Sequence, residues 1–448
     1  MKKREKTLIC IAAVLAIVIV LAAGICLLIK SNLTLVDGIR YPKGTSALDL
    51  RDREISFTHF QNLQEKFPGR EILWNVPFQQ RHYASDTKKI TITSLTEQDV
   101  DALKYLPELS CVKAENCFDY EALEQLRKAF PDCRVESYVA LAGQILPHDA
   151  KQLSIPEGEE DFEELMERLH YLPELETVSF TEPRLTAQEL NRLRETYPNA
   201  VFQWSKNLFH QELSSDTEEL DISGMKFESI REVEAQTDYL PGLKKLTMCD
   251  TELPNEDIAA FRERSRSRFQ VIWNVKIRDF DLRTDAVWFK PSAFSKEVRD
   301  CDMRNMKYCE DMLYVDMSRH YVRNIDWVKG TPHLRYLVIT GSPLRDIQPL
   351  RWAKELKFLD LSENDLRDLR PLQDCTALED LNLSAVFADI SPVSQMTWLK
   401  NLRISQDQSS LQNQLPDTAI NAASWRQLQN YKDMLKVMEE LPGPTLEK

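Results

Sequence analysis

The chain has 448 residues, 43% of them hydrophobic and 29% charged, with a formal net charge of −14. This is the composition of a folded protein rather than a disordered one, and its length exceeds a usual single core unless that core grows along one axis. Eleven glycines in all, with neither a GxGxxG nor a Walker-type lysine string, exclude a glycine-rich phosphate loop.

At the N-terminus, residues 8–29 form an uninterrupted run of 22 uncharged, mostly branched apolar residues. At 1.5 Å per residue that run spans a bilayer core of about 30 Å. Lys2, Lys3, Arg4 and Lys6 precede it, a basic flank expected to stay in the cytoplasm and leave the long remainder outside. A cleaved leader would carry a shorter apolar stretch of about 7–15 residues; here the run continues past Ala22, Ala23 and Gly24, and Ile25 stands where a lipidated Cys26 would need a small neighbour. The expectation is therefore a basic tail over 1–7 and an uncleaved transmembrane signal anchor over 8–29. Residues 30–47, with Asp37, Gly38, Pro42 and Gly44 and no sustained apolar period, read as a juxtamembrane stalk. The first 30 residues are net +4, so the other 418 carry −18. An outer part this acidic offers no bulk attraction to nucleic acid.

Seven of the nine cysteines lie outside the apolar run, and none forms a CxxC pair. This argues against a disulfide framework or a zinc site, leaving Cys111 with Cys117 and Cys301 with Cys309 as the pairs close enough in sequence to bridge.

From residue 48 to 291 the chain repeats at a long period. Tyr105-Leu-Pro-Glu-Leu109 recurs at Tyr171 and Tyr239, spaced by 66 and 68, and Ile90-Thr-Ile92 recurs at Leu153 and Leu220, spaced by 63 and 67. A period near 66 predicts blocks of three strands, each strand followed by a helix or turn. Amphipathic runs such as 120–130 and 185–197 supply the helices.

Residues 292–405 carry a shorter period. Leu337, Leu359, Leu381 and Leu402 are spaced by 22, 22 and 21, each inside a segment that alternates apolar and polar residues as a strand does. One such unit cannot bury its leucines alone, whereas stacked units cover one another. The runs Leu-Arg-Asp-Ile-Gln-Pro-Leu at 344–350 and Leu-Arg-Asp-Leu-Arg-Pro-Leu at 366–372 resemble the bacterial leucine-rich-repeat family, in its internalin-like form with 22-residue repeats. The resemblance implies an α/β leucine-rich-repeat solenoid with a parallel inner sheet and helices or turns outside, preceded here by one transmembrane helix. Asn364 stands where that family places its turn asparagine, which implies a structural role. Residues 406–448 read as a cap: the helix through Trp425, Leu428, Tyr431, Leu435 and Met438 is expected to shield the open end of the last repeat, or alternatively to bind a partner.

No chemistry announces itself. The seven histidines are scattered without HxH or HExxH, no GxSxG elbow occurs, and nothing resembles a DxDxDG calcium loop. The reading is no enzyme, no metal and no cofactor. If the leucines point into the stack, the residues between them face outward on the sheet. That exposes Trp288, Tyr314, Tyr336 and Phe358 on successive units, with Asp316, Asp360 and Asp380 beside them and Asn382 and Arg403 further along. Exposed rings favour binding hot spots; the alternative is that they pack on one another or on the terminal segment. The expected function is capture of a protein or a cell-wall glycan outside the cell, with the membrane engaged through residues 8–29. A cell-envelope scaffold or an envelope enzyme with an unrecognised site are the other readings.

Overall fold

A computed structural model of the chain describes residues 33–448 except 160, 293–296, 406–408, 422–423, 442, 444 and 447–448, together with Leu15, Ala16, Val18, Ile19, Leu21 and Ala22. The expected membrane span over 8–29 lies outside the described residues apart from those six, which are helical. Among the described residues no helix is long and apolar enough to cross a membrane. The chain divides into two compact units, Met1–Gln203 and Trp204–Lys448.

In the first unit, short parallel strands alternate with capped helices. Strands Lys89–Ile92, Cys111–Ala114 and Arg134–Glu136 pair in order, with Ile90 opposite Val112 and Val112 opposite Val135. Their connections are helices Glu97–Leu103 and Tyr120–Ala129. The first starts at a capping box, Thr96 accepting from the Asp99 amide while the Asp99 carboxylate accepts from the Thr96 amide. Thr186 and Glu189 repeat that box at helix Ala187–Thr196. After each helix a tight turn returns the chain to the core: the Leu106 amide donates to the Leu103 carbonyl and that of Leu109 to Leu106, and all three leucines are buried.

The third connection of each block is neither helix nor turn. It is a β-hairpin, as in Asn75–Phe78 with Arg81–Ala84 and Tyr138–Leu141 with Gln144–Pro147. The supposed stalk is such a hairpin too, Leu33–Val36 with Ile39–Pro42, and its Val36 and Tyr41 are buried in the unit's core. Its Asp37-Gly38 turn, with φ of 44° and 82°, carries the left-handed pair that a two-residue hairpin loop requires.

The second unit opens with the hairpin that ends strand Val201–Leu208, paired with Gln211–Ser214. Next come parallel strands Glu219–Asp221, Lys245–Thr247 and Gln270–Ile272, and the hairpin Asn274–Ile277 with Phe280–Arg283. Each hairpin closes alike: the Trp204 amide donates to Ser215 Oγ and the Trp273 amide to Thr284 Oγ1, both at 3.2 Å, as Trp74 does to Ser85 in the first unit.

A seven-stranded parallel sheet follows: Trp288–Phe289, Tyr314–Asp316, Tyr336–Val338, Phe358–Asp360, Asp380–Leu383, Asn401–Ile404 and Ala419–Ile420. Its register pairs Leu337 with Leu359, Leu359 with Leu381 and Leu381 with Leu402, so the leucine file is continuous. The outer connections are 3-10 turns, Gln348–Trp352 and Arg370–Asp374 among them, which drive Leu350 and Leu372 into the same core. Consecutive turns pack so closely that a Cβ on Gly330 would lie 2.3 Å from the Lys307 carbonyl oxygen, which only glycine avoids. Leu411, Leu415 and Ile420 close the far end of this core. The end cap is therefore residues 409–420, and the following helix, Gln429–Glu440, is elsewhere. This is the leucine-rich-repeat architecture: parallel strands in register over a shared leucine core.

Asn364 ties two repeats together. Its Nδ2 donates to the carbonyls of Ile339, Leu361 and Ser362 at 2.6, 2.9 and 3.1 Å, and its Oδ1 accepts from the Leu344 amide at 3.3 Å. Asn364→Ala leaves these buried groups without partners and lowers unfolding free energy by about 3 kcal/mol, read by urea denaturation; a loss under about 0.5 kcal/mol would remove the asparagine from this role.

Candidate binding face of the C-terminal unit

Strand pairing sorts the outward residues of the seven-stranded sheet into two files. Trp288, Tyr314, Tyr336, Phe358, Asp380 and Asn401 are register partners in one; Asp316, Val338, Asp360, Asn382 and Arg403 are partners in the other. Side chains two apart on a strand share a face, so both files lie together. All nine residues expected from the sequence as a site thus sit on one surface.

That surface is covered. Tyr314 and Phe358 are 0% exposed and Tyr336 7%, and with Met434 of helix Gln429–Glu440 they form one apolar cluster. Trp288, Val338, Trp425, Tyr431, Leu435, Val437 and Met438 pack around it. The Phe358 ring lies 5.0 Å from that of Trp425 and 6.0 Å from that of Tyr431, centroid to centroid. The expectation of exposed rings is corrected accordingly: of the nine, only Arg403 is exposed and Trp288 is partly so, while Asp316, Asp360, Asp380 and Asn382 are buried with the rings. The cause is the C-terminal helix, which matches its apolar stripe to the aromatic file instead of to the end of the stack. Trp425, Tyr431, Met434 and Leu435 provide the cover, and packing of the rings on the terminal segment is the alternative that the sequence left open.

Polar contacts fix the helix at both ends. Asn430 Nδ2 donates to Asp380 Oδ2 at 3.0 Å and Glu379 Oε2 at 3.1 Å. Beyond the helix, Trp288 Nε1 donates to the Leu441 carbonyl at 3.0 Å, and the backbone of Thr445–Leu446 pairs antiparallel with Phe280 and Asp281 of the last hairpin. Gly443 passes against the Trp288 ring, where a Cβ would sit 2.1 Å from it.

The carboxylates of this face all have partners. Asp316 Oδ1 accepts from the Ser318 amide and hydroxyl, while its Oδ2 takes Lys290 Nζ at 2.9 Å and the Tyr314 hydroxyl at 3.1 Å. Asp360 accepts from the amide and hydroxyl of Ser362 and, at 2.9 Å, from Asn382 Nδ2. Asp380 Oδ1 accepts from Asn401 Nδ2 at 2.7 Å. Burial pushes the Asp360 and Asp380 carboxyls above the usual carboxylate range. Burial acts on Asp316 too, but the bonds from Lys290 and Ser318 outweigh it and hold that carboxyl below its ordinary value. Among the described residues no three of His, Cys, Asp and Glu converge where a metal could sit. The seven described cysteines are free, so neither Cys111 with Cys117 nor Cys301 with Cys309 is bridged.

No family model matches the chain, and no curated protein does. Among solved structures the chain is similar to internalin C2 of Listeria monocytogenes, at 15% identity over 58% of this chain and 80% of that one, with a TM-score of 0.22. It is also similar to an internalin, inlF, of the same organism, at 13% identity over 77% and 90% with a TM-score of 0.26. A leucine-rich-repeat protein of Leptospira interrogans shares 13% identity over 83% and 99%, with a TM-score of 0.26. The architecture stated above rests on the strand register of this chain.

Because the rings are buried, Phe358→Ala lowers unfolding free energy by about 3–5 kcal/mol, measured in urea; a change below about 1 kcal/mol would mean the helix does not cover the ring. The raised Asp360 carboxyl sets a pH dependence of definite sign. Folded, it keeps a proton at pH values where the unfolded chain has lost it, so its contribution to stability grows as pH falls through its folded pKa and levels off below about 4. Wild type should therefore gain melting temperature relative to Asp360→Asn between pH 7 and about 4; the opposite drift would show a carboxylate held ionised.

Proposed function

We propose that this chain is a non-enzymatic binding protein of a bacterial cell surface, held by residues 8–29 with its N-terminus in the cytoplasm and its repeats outside. It captures another protein through the sheet face of its C-terminal unit. One observation carries the reading: the aromatic file of Tyr314, Tyr336 and Phe358 already holds an amphipathic helix of the same chain. Its chemistry therefore suits the apolar face of a helix better than a hydroxyl-rich glycan, because Met434, Leu435, Met438 and the rings of Trp425 and Tyr431 pack against it.

Two features support binding over catalysis. Burial raises the thiols of Cys117, Cys133 and Cys249 above their ordinary value and pushes those of Cys309 and Cys375 up to about 12, away from nucleophilic thiolate. In one depression, of about 210 Å³ beside Arg262 and Arg266, both guanidinium groups are spent on Glu310, at 2.5 and 2.8 Å. The basic flank and apolar run support the anchor.

The test is photo-crosslinking in intact cells from a probe at Arg403, exposed at the end of the second file, against the same probe at Arg351 on the outer turns. A protein adduct specific to position 403 is expected. Identical adducts from both positions, or none from either, would overturn the reading, and retention of the chain in the membrane after carbonate extraction checks the anchor.

A further inference from the structure

The described parts of residues 424–446 include a helix, Gln429–Glu440, and a short strand, Thr445–Leu446. The helix lies on the aromatic file, and the strand adds to the hairpin edge at Phe280 and Asp281. Helix-in-groove packing and strand addition are the two ways in which one protein takes up a linear segment of another. Here both occur in tandem, the helix on the seven-stranded sheet and the strand on the hairpin before it, and the occupant belongs to the same chain.

The occupant has little of its own to hold it as a helix. Helix Gln429–Glu440 begins at Leu428 with no side-chain cap and no acidic residue in its first turn, and its last turn carries Glu439 and Glu440 and no base. Those charges oppose the helix dipole, which favours cations at the C-terminal end. Only Leu428 and Met434 of residues 428–440 are fully buried, and Trp425 Nε1 is enclosed without a hydrogen-bond partner. An enclosed donor left unpaired weakens docking. The leucine core beneath the face does not involve this helix.

We infer that residues 424–446 are a tethered stand-in for the partner, and that the face takes from another protein a segment of the same form. This rests on the proposed binding role and names its ligand class. Such a segment is an amphipathic helix of about three turns. One face carries aromatic, Met and Leu side chains, an amide near its start reaches Asp380 and Glu379, and a small residue past Trp288 leads into an extended stretch for the hairpin edge. The tethered copy competes at the high effective concentration that a short linker creates, so an outside segment binds well only when the copy is loosened.

The experiment uses the full chain and a fluorescent synthetic peptide of residues 424–446. Met434→Glu places a carboxylate among the rings and should release the helix; Gly443→Ala should lift only the tail from Trp288. Expected are peptide binding at least tenfold tighter to Met434→Glu than to wild type, an intermediate gain for Gly443→Ala, and a main thermal transition that is lowered but stays cooperative. Equal peptide affinity for all three chains would overturn the inference, as would collapse of the main transition in Met434→Glu, since the helix would then be an inseparable part of the core. Failure here with a specific adduct at position 403 would leave the binding role standing; peptide binding without any adduct would do the reverse.

Discussion

Leucines that no single repeat can bury bind the second unit together, and the rest of its structure follows from how they are buried. Holding Leu337, Leu359, Leu381 and Leu402 in one file requires parallel strands in fixed register. Alternation along each strand then sends the intervening residues to the opposite surface whatever their nature. In this chain they are rings, and leaving a large apolar side chain in water forgoes about 1.5–3 kcal/mol of burial. A face so composed needs a cover. Helix Gln429–Glu440 supplies it, so the surface best suited to binding is also one whose burial stabilises the chain.

The same geometry accounts for the acidic file without a cationic ligand. Asp316, Asp360 and Asn382 are placed alike on their strands, and each uses Oδ1 to accept from the amide and hydroxyl of a serine two residues on. Asparagine serves at the third position as well as aspartate does at the others. What the position requires is therefore an acceptor oxygen that turns the chain at the end of the strand, not a negative charge. The residual charges are then managed locally, by Lys290 at Asp316 and by the Asn382 amide at Asp360.

How much of this was legible follows from what a one-dimensional pattern encodes. The leucine file and the role of Asn364 were readable because both depend on spacing alone. So was the placement of the site residues on one surface. Their burial was readable only as one of two alternatives, because alternation states which way a side chain points and says nothing of what lies above it. The hairpins escaped for a different reason. Asp37-Gly38 is a recognisable turn pair, but the equivalent turns at Gln79, Phe209-His210 and Arg278 reach positive φ without glycine, held by strands already committed to the stack. Register imposed by the neighbouring repeats outweighed local preference, and the apolar run from Ile72 to Val76 is divided at Trp74 between two strands.

Place in the chain separates the helix over the face from the helices inside the repeats. Capped as at Glu97 and Ala187 or without a side-chain cap as at Tyr120, Ile230 and Asn255, those lie between strands that continue on both sides. Helix Gln429–Glu440 has no cap at its start, carries unfavourable charges at its end, and follows the last strand of the sheet. Its order is supplied almost wholly by the surface it covers, which puts its opening at the low end of the free-energy scale within the fold. If the open form were about 1% of molecules, an outside helix would bind about a hundredfold more weakly than to a bare face, equivalent to about 2.7 kcal/mol. That handicap is set by the helix alone and leaves the leucine core untouched, so affinity for an outside segment can be adjusted at residues 425–441 without altering either the repeats or the binding surface.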